Sequence, residues 1–130
     1  YIFKSAKKGN TILFYHSSNT KKIKVLKNKG LTLIKTKLNN EGLLDLKIVL
    51  KKLFTLGTRS LLVEGGDKIS KNLIKNRLID TFYLFQSPKI LRVNKINQGF
   101  TSFGILNGKY KKVSKITSKL AKDNITIYKR

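Results

Sequence analysis

Apolar residues change their spacing several times along this chain, and each change marks an element. Thr11 to Tyr15 (TILFY) is a continuous apolar run and predicts a strand. Ser17, Ser18 and Asn19 follow, residues whose side chains cap the N–H groups of a helix start. Lys21 to Lys29 then reads as a short amphipathic helix with Ile23 and Leu26 inward, ended by Gly30. Leu31 to Lys35 alternates apolar and polar positions, as a strand does. Asn39 to Gly42 is a loop. Leu43 to Leu56 repeats apolar residues at 43, 46, 49, 50 and 53, the stripe of a helix, and Gly57 stops it.

Ser60 to Val63 predicts a further strand, buried by its composition. Glu64, Gly65 and Gly66 follow. Ile69, Leu73 and Ile74 then recur at helical spacing, and Phe82 to Phe85 has the β-rich composition of a strand. After residue 91 the chain is more polar. Ile125 to Tyr128 predicts a strand, and turns at Asn107-Gly108 and Asp123-Asn124 predict antiparallel strands in this tail. Alternating strands and helices, then antiparallel strands, indicate an α/β fold with a mostly parallel central sheet flanked by helices. With 130 residues, no repeats and no long linker, a single domain spanning 1–130 is predicted.

The composition removes several classes of function. There is no cysteine, and His16 is the lone histidine among six scattered carboxylates, so no metal site is expected. No apolar run approaches the roughly 20 residues of a membrane helix. The start, Tyr1-Ile2-Phe3-Lys4, resembles no signal peptide and reads as a piece of a longer chain; a cytoplasmic protein is expected. The formal net charge is +23, carried almost wholly by lysine, since only Arg59, Arg77, Arg92 and Arg130 are arginine. Dedicated nucleic-acid binders cluster their basic residues and use arginine for bidentate contacts. Here lysine is spread through every segment among Ile, Leu and Asn, which favours compositional bias over a specific nucleic-acid partner. A basic, non-catalytic nucleic-acid-binding module stands as the alternative.

The candidate chemistry lies at Glu64-Gly65-Gly66. A carboxylate and two glycines between a buried strand and a helix sit where open α/β sheets bind ligands. Glycine admits a ligand close to the backbone, and the free N–H groups of a helix start attract phosphate. The same residues also suit a tight turn, with Glu64 as a carboxylate capping the helix. The GxGxxG fingerprint of ordinary dinucleotide-binding folds is absent. His16 reads as a strand-end residue, Asp80 as the polar residue of a helix-to-strand turn, and Pro88 as a strand end. Tyr83 and the phenylalanines read as core.

Three blocks, in order and at matching spacing, resemble a known family. They are Val63-Glu64-Gly65-Gly66, then Leu78-Ile79-Asp80-Thr81, then Ser87-Pro88-Lys89-Ile90-Leu91. The chain is similar to the reductase domain of riboflavin biosynthesis, the C-terminal part of the bifunctional deaminase and 5-amino-6-(5-phosphoribosylamino)uracil reductase. The resemblance implies a dihydrofolate-reductase-like fold and an NADPH-dependent oxidoreductase that opens the ribosyl group of a phosphoribosylaminopyrimidine to ribityl. It implies that Glu64 contacts substrate. It also implies that NADP lies along Gly65, Gly66, Asp67, Lys68, Ile69, Ser70, Lys71 and Asn72, with Ile69 contributing backbone or facing the core. By analogy with the fold, Ser17, Ser18 and Asn19 lie near the adenosine end of the cofactor, and family members are commonly homodimers. Another NADPH-dependent reductase of the same fold is the nearest rival. The chain departs from the family at Arg92, where glycine is usual, and the family's R-P-x-V-T-x-K-x-A and S-x-D-G blocks are not in this sequence.

Overall fold

The computed structural model describes residues 11–17, 19–88, 99–117 and 123–130. Ser18, the end of the third family block (Lys89-Ile90-Leu91) and Arg92 lie outside the described residues. The chain divides into two compact units, Tyr1–Leu61 and Leu62–Arg130.

The first unit holds strand β1 (Ile12–Tyr15), helix α1 (Thr20–Asn28), strand β2 (Thr32–Lys35) and helix α2 (Leu46–Thr55). β1 and β2 pair in parallel, with Ile12 opposite Thr32 and Tyr15 opposite Lys35. A parallel pair needs a crossover, and α1 supplies it. Asn19 starts α1, its side-chain oxygen accepting from Lys22 N at 3.0 Å. α2 begins at Leu46, three residues after the first apolar residue of its stripe. Asp45 caps it there, accepting from Lys47 N at 2.9 Å and Ile48 N at 3.3 Å, while Leu44 forms a bridge with Leu38. Both helices end where glycine was anticipated: Gly30 and Gly57 take φ of 86° and 95°, a region that disfavours a Cβ.

The second unit holds α3 (Asp67–Lys75), β3 (Thr81–Gln86), α4 (Phe103–Lys109), β4 (Lys111–Thr117) and β5 (Asn124–Lys129). Its sheet is antiparallel, in the order β3-β5-β4, with Thr81 opposite Lys129 and Lys129 opposite Lys111. Phe82 and Leu84 on β3 alternate with Tyr83 and Phe85, so the two pairs face opposite sides of the sheet. On one side lies the core: Ile74 of α3, Leu84, Leu106 of α4, Tyr110 and Tyr128, joined by Ile79, Phe82, Phe100 and Ile105. Ile74 and Leu106 are fully buried. The rings of Phe82 and Phe100 lie 5.2 Å apart, and Phe103 meets Phe100 edge-on at 5.1 Å.

Three expectations are corrected. Ser60 to Val63 forms no strand and is exposed, Leu62 most of all at 81%. A strand exists only through hydrogen bonds to a neighbour, and neither sheet extends to this segment among the described residues. Asn107-Gly108 is not a hairpin turn but lies within α4, where Leu106 anchors the helix in the core. Tyr83 and Phe85 are not core: they stand 54% and 67% exposed on the outer side of the sheet, where the strand period directs them once Phe82 and Leu84 face inward.

Candidate functional site

The candidate site is built on the first turn of α3, within the second unit. Gly66 is the N-cap, with φ −73° and ψ 176°, and no side chain among the described residues bonds to the helix start. The first helical bond runs from Ser70 N to Gly66 O at 3.2 Å. The N–H groups of Asp67, Lys68 and Ile69 precede it and have no intrahelical acceptor. They carry the positive end of the helix dipole. A Cβ built on Gly66 would meet nothing within 4 Å. Gly65 differs: a Cβ there would overlap Cγ2 of Ile69. Gly65 is therefore a packing glycine, and Gly66 is the one open to approach.

Glu64 is exposed and has no hydrogen-bond or ion-pair partner among the described residues. It does not cap α3, which removes the structural role that its position suggested. Because Ser60 to Val63 is not a strand here, Glu64 does not end one either.

Asp67 has a clear structural task. Its Oδ1 accepts from Thr101 N at 2.9 Å, and its Oδ2 accepts from Thr101 Oγ1 at 2.6 Å. Ser102 Oγ donates to Oδ1 at 3.3 Å. The carboxylate thus ties the entry of α4 to the start of α3. The Thr101 hydroxyl bond lowers its pKa most, followed by the Thr101 backbone bond; Ser102 and the Lys71 charge add to the lowering, and burial opposes it. An ionised carboxylate offers no donor, so any anion met by Asp67 is met by its backbone N–H.

The remaining predicted cofactor residues divide by face. Lys68 and Lys71 are exposed and Ser70 is half-buried. Asn72 is buried, and its Oδ1 accepts from Asn76 Nδ2 at 2.9 Å. Ile69 is 38% exposed and does not face the core; its methyl covers Gly65 instead. In the first unit, His16 Nδ1 donates to Thr36 O at 3.1 Å at the end of β1, Ser17 is exposed, and Asn19 serves as the α1 cap. Asp80 pairs with Arg130 at 3.2 Å just before β3, and Pro88 follows the end of β3. Sequence reasoning missed Thr101 and Ser102. Their signal was a Thr-Ser pair before the apolar Phe103 to Leu106 run, the composition of a helix start. No group of three metal-ligating side chains occurs among the described residues, and none of their helices is long and apolar enough to cross a membrane.

Residues 2–121 match the family model of the RibD C-terminal domain. The match spans both units and includes Glu64, the glycine pair and the whole of α3. A parallel pair, an antiparallel three-stranded sheet and flanking helices are consistent with the α/β, dihydrofolate-reductase-like fold of that family. The Val63-Glu64-Gly65-Gly66 segment, the uncapped start of α3 and this match lead to one conclusion: the chain belongs to the RibD C-terminal domain family, the reductase domain of riboflavin biosynthesis.

Proposed function

We propose that this chain serves, as one reductase domain, in the NADPH-dependent reduction of 5-amino-6-(5-phosphoribosylamino)uracil. The observation that carries the reading is the pairing of a sterically open helix start at Gly66 with a carboxylate, two residues before it, that has no partner among the described residues. The residues fit a dinucleotide phosphate. Gly66 leaves room, the N–H groups of Asp67, Lys68 and Ile69 supply donors, and Lys68 and Lys71 add positive charge. Asp67 takes part through its backbone, since its carboxylate holds Thr101 and Ser102. Asn72 supports the helix from its buried side, and Gly65 keeps the turn close to Ile69. When bound, the cofactor's contribution is a hydride for C1 of the ribosylamino group, opening ribose to ribitol.

Glu64 holds the substrate in this reading, accepting hydrogen bonds from its donors. Replacing Glu64 with glutamine in the full-length protein keeps the size and removes the charge. Loss of a charge-assisted bond lowers reductase turnover or substrate affinity by about ten- to hundredfold. NADPH affinity, measured by calorimetry, stays near wild type. Wild-type reductase kinetics in Glu64→Gln would overturn the assignment. The reading further includes preference for NADPH over NADH, a cytoplasmic location and a homodimer, the last checked by sedimentation.

A further inference from the structure

The C-terminal end of α3 differs in character from its start. The turn after α3 places the start of β3 beside it, and the pairing of β3, β5 and β4 brings Lys129 opposite both Thr81 and Lys111. Lys109, at the end of α4, donates through Nζ to Lys75 O in the last turn of α3. Arg130 Nη1 donates to Arg77 O at 3.2 Å, and its Nη2 meets Asp80 at 3.2 Å. Arg77, Lys109, Lys111, Lys112, Lys129 and Arg130 are therefore gathered on one end of the unit. They are six of the ten lysines and arginines described in this unit. Asp80 is the carboxylate that accompanies them.

Two features of this cluster run against ordinary stability. Lys111 and Lys129 are direct cross-strand partners, and like charges so placed repel. Arg77 takes φ 53°, alone among the described non-glycine residues in having positive φ, at the position after a helix end where glycine is favoured. A bound polyanion would neutralise the repulsion, and the arginine at the strained position supplies a donor fork to it.

We propose that this end of the second unit is a binding surface for the phosphate backbone of nucleic acid. The cations are exposed or half-buried; Tyr110 and Tyr128 are buried, but Tyr83 stands 54% exposed on the side of the sheet that carries Lys129, diagonal to it. An exposed tyrosine beside cations suits a single strand, whose phosphates meet the charges while a base of any kind stacks on the ring. The nine residues of α3 hold the surface roughly 13 Å from Gly66, so it is separate from the proposed reductase site and does not depend on that reading. The contacts are to phosphate, so binding is independent of base sequence and steeply dependent on salt.

The test separates a surface from diffuse charge. A fluorescein-labelled oligothymidylate is titrated by anisotropy at several salt concentrations against three full-length proteins: wild type, Lys111→Gln/Lys112→Gln/Lys129→Gln, and Lys21→Gln/Lys22→Gln/Lys24→Gln. The last removes the same charge from exposed positions on α1. The first variant loses about tenfold or more in affinity, and its salt slope falls by roughly two. The α1 variant changes little. Equal losses in the two variants, or no loss in the first, overturn the proposal. So does tighter binding to phosphatidylserine vesicles than to the oligonucleotide through the same lysines. Single substitutions Lys111→Gln and Lys129→Gln, each with partial loss and unchanged circular dichroism, keep the test decisive if the triple variant unfolds.

Discussion

Adding one methyl at Gly65 and one at Gly66 should give opposite outcomes. At Gly66 the backbone is extended, a Cβ meets nothing within 4 Å, and alanine is admitted without overlap. The cost is that of a poorer N-cap, about 0.5–1 kcal/mol. At Gly65 the new Cβ falls on Cγ2 of Ile69. Isoleucine is β-branched and stiff in a helix, so the methyl does not swing aside freely. Overpacking of this kind costs roughly 1–3 kcal/mol, the lower end applying if the exposed turn shifts. Urea unfolding of the full-length protein reads both terms. Adding Ile69→Ala to Gly65→Ala should recover about 1 kcal/mol, because the Ile69 change deletes the clashing Cγ2 methyl. Calorimetry with NADPH then reads the ligand. Gly66→Ala, and more so Gly66→Val, puts a side chain between phosphate and the N–H groups of α3, weakening binding by about tenfold, which is ~1.4 kcal/mol. Unchanged NADPH affinity in a folded Gly66→Val protein refutes the seating of phosphate at this helix start. A Gly65→Ala protein as stable as wild type refutes the packing argument.

Other predictions follow from the same geometry. Leu106→Ala, at a fully buried position in the core, should lower stability by about 2–5 kcal/mol in urea unfolding. Asp67 has a folded pKa below its ordinary value, so its bonds to Thr101 and Ser102 favour folding above the unfolded pKa and lose that effect as pH falls through the lowered one. Asp67→Asn should flatten this acid limb of the stability profile, and an unchanged limb would disprove the latch. Arg77→Gly should relieve a left-handed cost of about 1–2 kcal/mol, less about 0.4–1 for the freer unfolded chain, for a net gain of up to about 1.6 kcal/mol. The same substitution should weaken oligothymidylate binding, so stability and nucleic-acid affinity move in opposite directions.

The sequence by itself determined what short-range physics controls. Asn19 caps α1, Gly30 and Gly57 end their helices, and the 46-49-50-53 stripe forms one face of α2, all through contacts within a few residues, while the β-rich runs of β1, β3 and β5 supplied the residues that distant partners then paired. The family was legible for the same reason, since Val63-Glu64-Gly65-Gly66 and its companion blocks are contiguous strings. The tertiary structure decided what depends on distant partners. Leu61 to Val63 are apolar, but apolarity does not make a strand; pairing does, and the described sheets do not reach them. Phe103 to Lys109 became a helix because Leu106 fills the core and Asp67 holds its entry from 34 residues away. Asp67 read as a cofactor residue from its place after the glycines, and only the chain's return at Thr101 showed its carboxylate already engaged. The gathering of Arg77, Lys109, Lys111 and Lys129 on one end was likewise invisible in an evenly spread run of lysines, because register and helix packing, not spacing along the chain, bring those charges together.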